Sequence, residues 1–236
     1  MMRSLRALPT TTLFLALGLL PAAKAFALAD GLRFTEVHKL ASEVNPSGDP
    51  GLDGAQGVAV SPDGKNVYTA AFKSDAVDVF SADAVTGELT FLEMHQHVVE
   101  QPVDVPDGLN GASVVAVSPD GKNVYVGSFI DDALVNYARD PGTGALTFLE
   151  MAEDGKKLNG QGEVVNTLNG PKAIAITPDG LFLYVAANQD DGISAFARDP
   201  NTGRLRLVES QKDGINSVDG IANPLGIAIS PDGQHI

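Results

Sequence analysis

The sequence predicts an all-β fold, a β-propeller of four-stranded antiparallel blades that is incomplete, with three full blades and a partial blade at each end. The first observation is a repeat: VAVSPDGKNVY occurs at residues 58–68 and again at 115–125, and LTFLEM occurs at 89–94 and 146–151, all at an offset of 57. The second is a Ser/Thr-Pro-Asp-Gly turn that starts four times, at Ser61, Ser118, Thr177 and Ser230. Short β runs and turns at so long a period are typical of propeller blades.

The amino terminus reads as a secretory signal rather than as part of the fold. Arg3 and Arg6 precede a short apolar run, LFLALGLL, and two small-x-small cleavage patterns follow, ending at Ala25 and Ala29. The run is too short to span a bilayer. We therefore expect residues 1–29 to be a signal peptide, residues 30–236 to form the partial propeller, and the product to be periplasmic or extracellular, with no membrane insertion after cleavage.

Each repeat divides into four strands, a to d, separated by turn residues. Strand a carries alanine at its centre, at Ala59, Ala116 and Ala175, and this small side chain suits the innermost strand, where blades crowd together. Ala228 is expected to begin a fourth blade. Residues 32–38 align with the strand d that begins at Leu89, so the chain also opens on a lone strand d.

The two ends indicate an open arc, about half of a longer protein. Adjacent blades of a closed propeller bury both faces against neighbours, whereas the first and last faces here have none. An apolar face with unpaired strand edges favours association. Self-association through the open ends is therefore expected.

Composition excludes several functional classes. The formal charge is −14, which disfavours nucleic acid as a partner because phosphate backbones are anionic. With no cysteine, the chain has no disulfides, no thiolate catalysis and no cysteine-bound zinc. No nucleotide-binding or hydrolase motif is present, and no cofactor is predicted.

The repeated units resemble a known family. The segment from Gly54 through SPDG to Tyr68, and the Asn-Val-Tyr-Val run at Asn123, resemble the YVTN-type, lactonase-like β-propellers, which include 6-phosphogluconolactonases and are generally seven-bladed. The resemblance spans about residues 30–236. It implies a propeller fold and a lactone hydrolase acting on a small-molecule, lactone or carbohydrate-like ligand.

The extra length of each repeat lies in the connection from strand d to strand a, which runs for about 16 to 22 residues. All these connections leave the same end of their blades, so they are expected to share one face and to carry any pocket there. Scaffold residues recur in every blade, whereas ligand chemistry must break the symmetry. The variable position two before strand a therefore supplies three ligand-binding candidates, Gln56, Ser113 and Lys172.

His95 and His97 are two further ligand-binding candidates, just past a strand d. In an extended chain their rings share a face, as a metal pair would. No third ligand is evident, so no metal site is predicted, and catalytic residues stay unassigned. The recurring Glu36, Glu93, Glu150 and Glu209 are interpreted as scaffold, and Arg139 and Arg198, placed at the outer rim, as salt-bridge residues.

Two functions remain open. One is an exported lactone or ester-ring hydrolase acting at the loop face, where His95, His97 and Lys172 are the local candidates for a base and an electrophilic clamp. The other is a non-catalytic exported propeller that binds a ligand or a protein partner through the same face. Near-identical copying of the first two blades favours the second hypothesis, because a symmetric surface is poorly suited to asymmetric catalysis.

Overall fold

A computed structural model describes residues 51–97, 108–160 and 162–236. The predicted signal peptide, Glu36 and the lone strand at residues 32–38 lie outside the described residues. Of the described residues, none belongs to a helix long and apolar enough to cross a membrane.

Three four-stranded antiparallel sheets form the described chain, and each follows the strand order of the sequence. Blade 1 consists of β1 (Ala55–Val60), β2 (Asn66–Ala71), β3 (Ala76–Ala82) and β4 (Leu89–Gln96). Blade 2 consists of β5 (Ala112–Val117), β6 (Asn123–Ser128), β7 (Ala133–Arg139) and β8 (Leu146–Glu153). Blade 3 consists of β9 (Pro171–Ile176), β10 (Phe182–Ala187), β11 (Gly192–Arg198) and β12 (Leu205–Lys212), and a 3-10 turn covers Leu158–Gly160. The three predicted blades are confirmed.

The first strand of each blade is the innermost, as its central alanine predicts. Strands β1, β5 and β9 contact one another from blade to blade. Each central alanine lies opposite a strand-b tyrosine, in the pairs Ala59–Tyr68, Ala116–Tyr125 and Ala175–Tyr184. A small residue therefore faces a large one in every blade.

The segment around Ala228 is not a strand, although the following turn is the same as in the complete blades. The Ser230 amide donates to the His235 carbonyl at 2.9 Å, and the Ser61 amide donates to Asn66 at the same distance. The turn needs only its own residues, whereas a strand needs a partner along its length. The fourth blade thus begins with its turn formed and its first strand unpaired.

Apolar side chains fill the two interfaces between adjacent blades, which we call seams. One buried cluster joins blades 1 and 2 and includes Tyr68 and Val115, and the other joins blades 2 and 3 and includes Tyr125 and Phe196. Val58, equivalent to Val115, is 69% exposed, because no blade precedes it among the described residues, whereas Val115 is 6% exposed. Self-association at this open face stays a prediction.

A buried arginine crosses each seam at the end opposite the long connections. The Arg139 guanidinium in blade 2 donates to both carboxylate oxygens of Asp63 at 3.1 Å, to Asn66 Oδ1 at 2.7 Å and to the Tyr68 hydroxyl at 2.8 Å. Arg198 pairs in the same way with Asp120, at 2.8 and 3.0 Å. The predicted salt bridges are confirmed, but both side chains are 1% exposed, so their placement at the outer rim was wrong.

The Asp63 carboxyl is held in its charged form by this contact. Partial burial raises its pKa. This effect is outweighed by hydrogen bonds from the Ser61 hydroxyl, the Lys65 amide and Arg139, and by the charge of the guanidinium group, which together lower the pKa to about 2. Asp63 therefore stays ionised throughout the neutral and mildly acidic range.

The recurring glutamates also join adjacent blades. Glu93 Oε1 accepts the Leu146 amide at 2.7 Å, and Glu150 Oε1 accepts the Leu205 amide at 2.5 Å. Each carboxylate thereby fixes the start of the next blade's outermost strand. The scaffold interpretation holds for these two residues.

Candidate functional site

The long connections lie against the turns between strands b and c. An aspartate in each turn accepts an amide N–H from the connection that enters the next blade: Asp75 from Gly111 at 2.7 Å, Asp132 from Gly170 at 2.9 Å, and Asp191 from Asn223 at 2.6 Å. These turns share one end of the blades because the strands alternate in direction. The described parts of the connections therefore form one face, which we call the loop face.

Gln56, Ser113 and Lys172 share a backbone feature that the sequence did not reveal. Each is the extra residue of a β-bulge at the loop-face end of its innermost strand, with no partner of its own on strand b. A bulge leaves one residue outside the ladder and re-aims its side chain, and bulges are over-represented beside active sites. The innermost strands thus present glutamine, serine and lysine at equivalent bulges in three successive blades.

The three bulged side chains differ in their surroundings. Gln56 is exposed. Ser113 is buried, and its hydroxyl donates to the Pro171 carbonyl at 2.8 Å, directly before Lys172 in the chain. Lys172 is half-buried. Ser113 therefore links blade 2 to the strand that carries the lysine, and Gln56 and Lys172 are the accessible polar groups.

Lys172 lies over two aromatic rings. Its Nζ is 4.2 Å from the centroid of the Phe129 ring and 5.7 Å from that of Phe72, and the two ring centroids are 6.1 Å apart. The ring faces attract the ammonium group, so they hold the cation at the inner edge of the loop face. Among the described residues, Lys172 has no carboxylate within ion-pair distance.

Sequence reasoning missed Phe72 and Phe129. Both follow the last residue of strand b in their blades, where blade 3 has Asn188. The same symmetry argument that selected Lys172 could have selected this position. We call Gln56, Lys172, Phe72 and Phe129 the inner mouth.

The structure places His95 and His97 away from the bulged residues, beside the seam between blades 1 and 2. His95 lies on β4, the outermost strand; its Nε2 is 3.2 Å from Glu93 Oε1, and its ring is 5.2 Å from that of Tyr137. His97 Nδ1 is 4.0 Å from Asp131 Oδ2. In the part of the chain that the structure describes, no group of three His, Cys, Asp or Glu side chains is arranged to hold a metal ion. The histidines are therefore seam residues.

An acidic cluster fixes the connection that leads to Lys172. Three successive amides of this connection each donate to a different carboxylate, Leu168 to Asp154, Asn169 to Asp190 and Gly170 to Asp132. Burial raises the pKa of Asp132 and of Asp154, and the charges of neighbouring aspartates raise both further. Lys212 Nζ, 2.7 Å from Asp190 Oδ1, offsets part of this repulsion.

Asp154→Asn is expected to stabilise the chain at pH 7. The folded state raises the pKa of Asp154, so the ionised carboxyl opposes folding at neutral pH, and this penalty disappears as pH falls through the raised pKa. Asparagine keeps an oxygen for the Leu168 amide and carries no charge. We expect the free energy of unfolding to rise by about 1 kcal/mol at pH 7, which is typical of surface-charge optimisation. This gain should shrink toward pH 4. Thermal melting across this range measures it.

Asp213→Asn is the matched control, because Asp213 occupies the equivalent position after blade 3 and accepts the Gly220 and Ile221 amides. We expect no gain there. A lower melting temperature for Asp154→Asn at pH 7 would show that the charged carboxylate is needed.

Together, the fold and the inner mouth define a β-propeller that presents a cation and two aromatic rings at the inner edge of its loop face. The chain matches the family model described as Lactonase, 7-bladed beta-propeller, over residues 92–219 and 154–236. The chain belongs to this lactonase family of seven-bladed propellers.

Three relatives show how the chain compares with known members. The 6-phosphogluconolactonase of Bacillus subtilis is 28% identical over 158 residues, 66% of this chain and 40% of the relative. The uncharacterized protein YwcC of Lactococcus lactis is 29% identical over 160 residues, 68% of this chain and 42% of the relative. The structure of the periplasmic gluconolactonase PpgL of Pseudomonas aeruginosa aligns with a TM-score of 0.55 and 28% identity, covering 70% of this chain and 41% of PpgL. The chain spans about two fifths of each relative.

Proposed function

We propose that this chain is part of an exported lactone hydrolase whose ring-opening site is the inner mouth. The observation that carries the proposal is Lys172, an unpaired cation among the described residues that lies over two aromatic rings at a bulge. Two relatives whose names describe lactonases support the substrate class.

The chemistry expected of this site is addition of water to a lactone carbonyl. The water oxygen bonds to the carbonyl carbon, the ring C–O bond breaks, and a proton passes to the departing oxygen, which leaves a hydroxy acid. The Lys172 ammonium suits the developing negative charge on the carbonyl oxygen, because a positioned cation stabilises the transition state more than the neutral ground state. The Phe72 and Phe129 rings provide an apolar surface for the carbon ring.

A second candidate function is ligand binding without turnover. Its support is the environment of Lys172, where the described residues bring no carboxylate within ion-pair distance, and the position of His95 on the outermost strand. A cation and two aromatic rings are sufficient to bind a ligand, whereas general-base catalysis also needs a group that accepts a proton.

Lys172→Met tests both functions in the full chain with glucono-δ-lactone as the probe. Methionine keeps the apolar stem and removes the charge. If Lys172 stabilises the carbonyl oxygen, kcat/KM above the spontaneous rate should fall about 100-fold, as for the loss of one oxyanion donor. Acid release in a pH-stat measures turnover.

Lys122→Met is the control, because Lys122 is exposed in the strand a–b turn at the opposite end of the blade. It should leave turnover unchanged. An unmodified chain that binds the lactone through Lys172 without hydrolysing it would establish the binding function instead. Equal turnover in both variants would reject Lys172 as the reacting cation.

Export is also a proposal, supported by the signal-like segment at residues 1–29 and by the similarity to PpgL, a periplasmic gluconolactonase. Expression of the full chain in a bacterium, followed by amino-terminal sequencing of the periplasmic fraction, should show a start directly after Ala25 or Ala29. Recovery of chain beginning at Met1 in the cytoplasm alone would reject export.

A further inference from the structure

A cleft of about 690 Å³ lies on the outer side of the seam between blades 2 and 3. One wall belongs to the connection that leaves blade 2, and the other to the start of β12. The lining residues are Leu158, Asn159, Gly162, Glu163 and residues 204–207. Because β12 is the outermost strand of blade 3, this cleft is separate from the inner mouth, which is built on the innermost strands and on the residues that follow strand b.

The two walls are tied to one buried carboxylate. The Glu150 side chain is 1% exposed; its Oε2 accepts a hydrogen bond from Asn159 Nδ2 at 2.6 Å, and its Oε1 accepts one from the Leu205 amide. Leu158 packs in the apolar cluster of the seam and so anchors the wall formed by the connection that leaves blade 2. The spacing of the walls is therefore fixed by hydrogen bonds and packing.

Arg204 brings a cation to the cleft, whereas the other seam has no cation at the equivalent position. Its Nη1 lies 3.3 Å from Glu150 Oε2, and its side chain is 53% exposed. Its Nε and Nη2 donate to no residue that the structure describes. The equivalent position in blade 2 is Ala145, so this guanidinium breaks the repeat symmetry. A planar, partly exposed fork of N–H donors suits a carboxylate.

We propose that the cleft is a second ligand site, for a small carboxylic acid that also carries hydroxyl groups. The carboxylate binds the free N–H groups of Arg204, and the carbon chain packs on Leu158 and Leu207. Glu163 accepts the ligand's hydroxyl groups and disfavours a doubly charged head such as a phosphate. The volume lies within the range of small-molecule sites. This proposal is independent of turnover at Lys172.

The test is an NMR titration of the full, ¹⁵N-labelled chain with sodium gluconate. The amide signals of residues 158–160 and 204–207 should shift and saturate at millimolar ligand. Sorbitol, which has the hydroxyl groups without the charge, should produce no saturating shift, and glucose 6-phosphate should bind more weakly. Tighter binding of the phosphate would overturn the carboxylate assignment.

Arg204→Gln should weaken gluconate binding at least 10-fold. The fold should survive, because Glu150 keeps the Asn159 amide group, the Leu205 amide and Asn136 as donors. Lys122→Gln is the matched control, since it also replaces an exposed cation by glutamine but lies in the strand a–b turn of blade 2 and does not line the cleft, so it should leave binding unchanged. Lys172→Met should also leave these shifts unchanged. Equal weakening in Arg204→Gln and Lys122→Gln, or the same shifts with sodium chloride at matched ionic strength, would overturn the site.

Discussion

Arg139→Met is expected to lower the free energy of unfolding by about 3–5 kcal/mol, because the buried guanidinium pairs with the partly exposed Asp63 carboxylate and also donates to three buried acceptors. Methionine removes the donors to Asp63, to Asn66 Oδ1, to the Tyr68 hydroxyl and, at 2.9 Å, to the Gly121 carbonyl. Buried acceptors without donors carry the full cost of lost solvation. A domain is typically stable by only 5–15 kcal/mol, so this loss is large.

Urea unfolding followed by circular dichroism measures the effect, with Arg206→Met as the control. Arg206 is exposed on β12 and forms no ion pair with a described residue, so its replacement should cost under about 0.5 kcal/mol. A loss below about 1 kcal/mol for Arg139→Met would mean that the seam depends on its apolar contacts rather than on the arginine.

Gly144→Ala is expected to destabilise the chain by about 3–5 kcal/mol, combining left-handed backbone strain with overpacking. Gly144 has φ +88°, and an added Cβ would overlap the side-chain amide of Asn66 in the neighbouring blade. The Gly144 carbonyl also accepts the Tyr68 hydroxyl at 2.9 Å, so any shift of this turn breaks a second contact across the seam.

Gly87→Ala separates the two causes. Gly87 occupies the equivalent turn of blade 1 with φ +76°, and nothing lies within 4 Å of an added Cβ. This variant should show the backbone strain alone, about 1–2 kcal/mol. If Gly144→Ala and Gly87→Ala lower the free energy of unfolding in urea by similar amounts, the contact with Asn66 adds nothing to the cost of the Gly144 substitution.

The repeat made the blades predictable from the sequence, because turn chemistry and strand periodicity are local. The four Ser/Thr-Pro-Asp-Gly turns marked the strand a–b hairpins, and the central alanines marked the innermost strands. The carboxylates of Glu93 and Glu150 were correctly interpreted as scaffold because they recur. The strand at Ala228 was not observed, because strand formation depends on a partner outside the local sequence.

The candidate site was predictable only in part. The symmetry argument selected Gln56, Ser113 and Lys172, but it did not distinguish the buried Ser113 from the exposed Gln56, since burial depends on the neighbouring blade. The β-bulge at these positions is a property of pairing between two strands, and no residue type marks it. Arg139 was placed at the rim because its position in the turn is visible in the sequence, whereas the direction of its side chain across the seam is not.

The arginine contacts give the stack of blades a direction: each blade offers acceptors to the blade that follows and receives a donor from it. Blade 1 has Ala82 at the donor position, and blade 3 has Phe182 in place of the acceptor asparagine. Blade 2 alone among the described blades carries both Asn123 and Arg139. A tandem duplication of blade 2 would therefore supply a matching contact on each side of the new copy, and a ring of this kind can gain a unit by internal duplication without any new interface.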